Sequence, residues 1–102
     1  MANEIYVAEL DQMLKEVPGE VFLIDLMNNE DFERNHLPGA VNIPAEDLRN
    51  HFSEIPKNKK VVVVCRRGLT KSDNAVRQLH ESGFTNVKKL TGGTEGWINY
   101  KK

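Results

Sequence analysis

The chain has 102 residues, 39% of them hydrophobic and 28% charged, with a formal net charge of -1. That length holds one hydrophobic core and not two, so a single globular domain over residues 1–102 is expected. The balanced charge excludes a general nucleic-acid binder, which carries a strong basic excess, and the single cysteine, Cys65, excludes an intrachain disulfide framework and a four-cysteine zinc site.

Ile5-Tyr6-Val7 predicts a short strand. Leu10, Met13, Leu14 and Val17 then recur at spacings of three and four, the signature of one helix face, and Pro18-Gly19 ends that helix. Val21-Phe22-Leu23-Ile24 is a continuous apolar run, as in a strand covered on both faces, and it ends at Asp25. Asn28 to Asn35 is polar and predicts a short helix, with Asn28 or Asn29 as its cap. Pro38-Gly39 is a turn, Ala40-Val41-Asn42-Ile43 a third strand, and Glu46 to Phe52 a helix closed before Pro56.

Val61 to Val64 is the most β-prone stretch of the chain and the fourth strand. Ala75, Val76 and Leu79 mark a helix that begins near Ser72 and stops at Gly83. Val87-Lys88-Lys89-Leu90 is the fifth strand, Gly92-Gly93 a loop, and Gly96 to Tyr100 a last short helix. Strands alternating with helices predict an α/β fold: a five-stranded, mainly parallel sheet with helices on both faces. In such sheets ligands sit beyond the carboxyl ends of the strands, where both Cys65 and Asp25 fall.

The valine run delivers Cys65 to the loop Arg66-Arg67-Gly68-Leu69-Thr70-Lys71. A free cysteine thiol has a pKa of about 8.5, and the thiolate is the nucleophile. Three features of the loop favour the thiolate. Arg66, Arg67 and Lys71 bring positive charge, Gly68 tolerates the backbone angles of an anion-binding nest, and the following helix directs its positive end at the loop. The same groups suit an anionic substrate. A cysteine after a valine run also reads as a buried small hydrophobe, but a purely structural strand end has no need of two arginines and a glycine.

These residues carry a family resemblance. Cys65-Arg66-Arg67-Gly68-Leu69-Thr70 resembles the C-R-K-G-V-T loop of thiosulfate-using rhodanese-family sulfurtransferases, and shares C-R-x-G with many single-domain members. The stretch from Asp25 through His36-Leu37-Pro38-Gly39-Ala40 to Pro44 resembles the family's D-V-R…E-F…G-H-I-P-G-A-x-N-I-P signature, and Leu90-Thr91-Gly92-Gly93-Thr94-Glu95-Gly96-Trp97 resembles its closing L-x-G-G-x-x-x-W. The resemblance implies a three-layer α/β/α rhodanese-like domain with Cys65 as catalytic nucleophile and Arg66, Arg67, Gly68, Leu69, Thr70 and Lys71 as the substrate-binding loop. It implies transfer of a sulfane sulfur from thiosulfate or a similar small anionic donor, through a persulfide on Cys65, to a cyanide or thiol acceptor or a protein sulfur carrier. It implies no metal and no organic cofactor.

Two departures mark this chain. Met27 stands where the signature has Arg, and Lys71-Ser72 come one place later than the basic residue and serine of the C-R-x-G-x-R-S pattern. The related phosphatases and arsenate reductases place an Arg six residues after the Cys. Lys71 occupies that position here and cannot make arginine's bidentate phosphate contact. The rival readings are therefore a non-catalytic binding or regulatory module of the same fold and, more distantly, that phosphatase branch.

Outside the loop, Asp25 reads first as a loop-holding hydrogen-bond acceptor and second as an active-site carboxylate. His36 reads as a structural hydrogen bond in a turn, His51 and His80 as surface or packing residues without metal-ligand spacing, Trp97 as a core anchor, and Thr70 with Asp73 as a capping pair. A lone free thiol suits a reducing compartment. The start Met1 to Tyr6 has no basic segment followed by an apolar one, so no secretory leader is expected. No apolar run is long enough to span a bilayer. A cytoplasmic, water-soluble protein is expected.

Overall fold

A computed structural model describes residues 3–102; Met1 and Ala2, where the reading for a leader begins, lie outside them. The elements are β1 (Glu4–Ile5), α1 (Val7–Glu16), a 3₁₀ turn (Pro18–Glu20), β2 (Val21–Asp25), α2 (Asn29–Arg34), β3 (Val41–Asn42), a 3₁₀ segment (Ala45–Glu54), β4 (Lys60–Val64), α3 (Thr70–Glu81), β5 (Val87–Leu90) and α4 (Gly93–Lys101). All strand pairings are parallel, in the order β1-β5-β4-β2-β3, which puts β4 at the centre. No described helix is long and apolar enough to cross a membrane.

The two-residue period of a strand divides the valine run between two cores. Val61 and Val63 face Ala75, Val76 and Leu79 of α3 and Leu48 of the 3₁₀ segment. Val62 and Val64 face Leu10 of α1 and Trp97 of α4. Helices therefore cover both sheet faces, giving the three-layer arrangement expected, and Trp97 is a core residue.

Several local expectations differ from the fold. Tyr6 and Val7 are not strand. Tyr6 is the N-cap of α1, its carbonyl accepting the Leu10 amide at 3.0 Å, and Val7 begins the helix. The segment after Pro44 is 3₁₀ rather than α, and it still turns Leu48 inward. Helix α3 starts at Thr70, two residues earlier than the sequence implies. Its N-cap is Leu69 and no side chain caps it, so Thr70 and Asp73 do not form a capping pair; Asp73 pairs instead with Lys89 at 2.7 Å. Asn28 caps α2 as expected, its side-chain oxygen accepting the Asp31 amide at 2.8 Å.

The Gly92-Gly93 pair is also not a free loop. Gly92 (φ +87°) is the N-cap of α4 and Gly93 (φ +61°) its first residue. The chain turns so sharply here that α4 starts directly on the Cys65 loop. The Thr94 amide donates to the Cys65 carbonyl at 2.9 Å and the Glu95 amide to the Arg66 carbonyl at 3.0 Å. A Cβ on Gly93 would lie 2.2 Å from the Cys65 carbonyl oxygen and 2.6 Å from that of Arg66. Glycine is required for both its positive φ and its lack of volume.

Gly93→Ala should therefore cost about 2 kcal/mol or more of folding stability in urea denaturation. Gly19→Ala, at a glycine with nothing within 4 Å of the added carbon, should stay within about 0.5 kcal/mol of the parent. Equal effects at the two positions would contradict the steric argument.

Candidate active site

The thiol sits just past the last residue of the central strand, on the edge of the sheet where parallel strands place their ligands. Arg66 to Leu69 bend back over the strand end, and α3 begins at Thr70. Gly68 makes the bend possible: its φ is +75°, and an added Cβ would meet the Leu90 carbonyl oxygen at 2.5 Å.

Two donors converge on the sulfur. The Gly68 amide donates to Cys65 Sγ at 3.2 Å, and Ser72 Oγ donates at 3.0 Å. Cys65 is 5% exposed and Ser72 0%. An open cavity of about 270 Å³ lies over the thiol, lined by Met27, Arg66, Arg67, Leu69, Thr70 and Lys71. Five of the six predicted loop residues line this one space; Gly68 does not, and it meets the sulfur through its backbone amide instead. The amides of Thr70, Lys71 and Ser72 precede the first backbone bond of the helix, from the Asp73 amide to the Leu69 carbonyl at 3.0 Å. They are the unsatisfied donors of a helix N-terminus.

The arginines are arranged differently from a simple cationic ring around the sulfur. Arg66 Nη2 lies 3.3 Å from Asp31 Oδ2, and Arg67 Nε lies 3.7 Å from Glu95 Oε1. Lys71 joins no ion pair among the described residues. Sequence reasoning passed over Ser72 as a functional side chain. With α3 starting at Thr70, Ser72 is the third helical residue, and its hydroxyl points back to the strand end; the spacing of seven residues from Cys65, set against where the helix starts, is the signal that would have found it.

Asp25 ends β2 beside Val64 and is completely buried. Its Oδ1 accepts the Met27 amide at 2.9 Å, the loop-holding role expected, while Oδ2 is buried without a partner. Burial pushes its carboxyl above the usual carboxylate range; the Met27 amide and nearby His36 oppose this shift, and Asp31 adds to it. His36 donates from Nδ1 to the Phe32 carbonyl at 2.7 Å and stacks on the Phe32 ring, a structural role. His51 lies beside Glu54 at 3.1 Å and His80 is exposed on α3. Among the described residues no three His, Cys, Asp or Glu side chains cluster as metal ligands do.

The rhodanese-like domain model matches residues 6–100. The chain belongs to the rhodanese-like domain family. It is 32% identical to a sulfurtransferase of Allochromatium vinosum over 100 residues, covering 98% of this chain and 92% of that one. It is 34% identical to the thiosulfate sulfurtransferase GlpE of Shewanella oneidensis over 77 residues, 76% of this chain and 75% of that one. A crystal structure of a rhodanese-related protein from Thermoplasma volcanium superposes with a TM-score of 0.85 at 26% identity, over 96% of this chain and 92% of that one. In this rhodanese-like domain the three sequence blocks have distinct physical tasks. The first holds the β2 end through Asp25, the second surrounds the thiol, and the third fastens the thiol loop from below through Gly93, Thr94 and Glu95.

The raised carboxyl of Asp25 has a consequence for stability. The folded chain holds this proton more tightly than the unfolded chain, so ionisation weakens the fold as pH rises through a window that opens at the ordinary value of 3.8 and extends above it. Asp25→Asn keeps an oxygen for the Met27 amide and removes the charge. The stability of the variant relative to wild type should rise in urea denaturation as pH climbs above 3.8. A difference independent of pH would contradict a buried, ionisable Asp25.

Proposed function

We propose that the protein is a sulfurtransferase that moves a sulfane sulfur from thiosulfate or a similar small anionic donor through a persulfide on Cys65. The observation that carries this reading is the pair of donors on Cys65 Sγ, the Gly68 amide and the Ser72 hydroxyl. Sulfur with negative charge accepts such bonds best, and they would serve a thiolate before attack and when it is regenerated. The sulfurtransferase relatives support the same reading.

The reaction divides into two displacements. The Cys65 thiolate attacks the outer sulfur of the donor; a new S–S bond forms, the donor's S–S bond breaks, and sulfite leaves with the electron pair. An acceptor nucleophile then attacks the outer sulfur of the persulfide, and the Cys65 thiolate departs with its electron pair restored. Cyanide yields thiocyanate, and a thiolate yields its own persulfide. The sum is redox-neutral and needs no cofactor or metal. As the chain has one cysteine, no internal thiol can take the sulfur, and the acceptor comes from outside.

In this scheme the free amides of Thr70, Lys71 and Ser72 and the Lys71 ammonium receive the anionic end of the donor, with Arg66 and Arg67 at the rim. Leu69, 59% exposed, lines the approach for an acceptor, whether a small thiol or a protein carrier. A free catalytic thiol suits a reducing setting such as the cytoplasm. A non-catalytic binding module has no use for two donors trained on a sulfur. The phosphatase reading lacks the arginine fork that would hold a phosphate.

Incubation with thiosulfate should add one sulfur atom to the intact mass of the wild type, and cyanide should remove it. Cys65→Ser should show no adduct. Ser72→Ala should lower kcat/KM roughly tenfold or more, the worth of a hydrogen bond to a charged group. An unmodified wild type, or an adduct that survives in Cys65→Ser, would defeat the proposal.

A further inference from the structure

Arg66 follows the nucleophile directly, and its guanidinium is bonded to α2. Asp31 takes it at 3.3 Å through Oδ2, and takes Arg34 Nη1 at 3.3 Å through Oδ1. One carboxylate therefore holds two guanidiniums. Its place is well determined: the Asp31 amide is pinned to the Asn28 cap at 2.8 Å, and its side chain is 22% exposed against 53% for Arg66.

Arg66 also lies between two spaces. It lines the cavity over the thiol, and it lines a second cavity of about 170 Å³ whose walls include Asp31, Arg34, Glu95 and Ile98. Met27 is shared in the same way. The guanidinium thus stands within reach of an anion over Cys65 on one side and is bonded to Asp31 on the other. A planar fork gives its best bidentate contact to one oxyanion at a time. Asp31 and an anionic donor therefore compete for the same group.

Resting on the sulfur-transfer reading above, we propose that Asp31 is a specificity-determining residue that sets how tightly the site binds an anionic donor. While Asp31 holds Arg66, the donor meets Lys71 and the helix amides with little help from that guanidinium. A weakly charged or poorly fitting anion gains nothing from Arg66. An anion able to displace a carboxylate gains the whole contact. Asp31 does not touch the reacting sulfur, so its effect falls on binding and not on the chemical step.

The size of the effect follows from the exposure of the pair. A half-exposed ion pair is worth about 0.2–1 kcal/mol, so its removal should change anion affinity by about 1.4- to fivefold. Asp31→Asn preserves the shape of the side chain and leaves the Asn28 cap on the backbone amide.

KM and kcat for thiosulfate–cyanide turnover at low ionic strength should separate in this variant. KM should fall by about 1.4- to fivefold while kcat stays unchanged within error. A chemical-shift titration of thiosulfate into Cys65→Ser, with and without Asp31→Asn, should show the same fall in dissociation constant without turnover. Both effects should vanish when Arg66→Ala is also present. Glu30→Gln removes an equal charge from an exposed position on the same helix and should shift KM by less than half as much.

An unchanged or higher KM and dissociation constant in Asp31→Asn would overturn the proposal. So would an equal effect from Glu30→Gln, persistence of the effect with Arg66→Ala, or the absence of measurable thiosulfate binding in either protein of the titration. If the wild type forms no persulfide, the sulfur-transfer reading falls, and the titration still decides the role of Asp31.

Discussion

The loop that carries the thiol is held from beneath by backbone hydrogen bonds from α4. The first amides of α4 donate to the carbonyls of Cys65 and Arg66 at 2.9 and 3.0 Å, and Gly93 lets the two backbones come that close. Those carbonyls are thereby taken up by α4. Gly68 then places its amide on Sγ, and α3 starts early enough for Ser72 to reach the same atom. The position of the sulfur, its two donors and the free helix amides all follow from how tightly α4 is seated.

Charge around the thiol is arranged more sparingly than a row of three basic residues implies. Arg66 and Arg67 each have a carboxylate, Asp31 from α2 and Glu95 from α4, and Lys71 is the loop cation without an ion-pair partner among the described residues. The same carboxylates tie the loop to the helices on either side of it. One set of interactions therefore fixes the loop and moderates its field, which is compatible with a chain whose net charge is only -1. In the proposed reading, the fixed amide donors are available to an anion at once, whereas Arg66 and Arg67 must first be drawn from Asp31 and Glu95.

Much of this was legible in the sequence, because the strongest signals lie at the centre. Four consecutive valines, each no more than 2% exposed, allow only a strand covered on both faces, and its end point fixes the location of the thiol. The helices of α1 and α3 are written in the spacing of Leu10, Met13 and Leu14 and of Ala75, Val76 and Leu79. What was not legible depends on tertiary closeness. Tyr6-Val7 has strand-forming residues but lies where α1 must start. Gly92-Gly93 looks like a loop because the backbone that needs Gly93 to lack a side chain lies 27 and 28 residues earlier, at Arg66 and Cys65. The partners of Arg66 and Arg67 belong to other helices, so adjacency to Cys65 in sequence suggested a direction that the side chains do not take. Ser72 was missed for a smaller reason: a helix start displaced by two residues moves it from the first helical position to the third, where its hydroxyl faces the sulfur.

The central claim is that Cys65 carries sulfur within the nest formed by Gly68, Ser72 and the start of α3. A crystal structure of the protein soaked in thiosulfate tests it most directly. The account predicts a second sulfur atom covalently bonded to Sγ, lying in the cavity beneath Leu69 and Lys71 and within hydrogen-bond distance of the free amides at Thr70 to Ser72. An unmodified Cys65, with thiosulfate bound at some other surface or not at all, would contradict it.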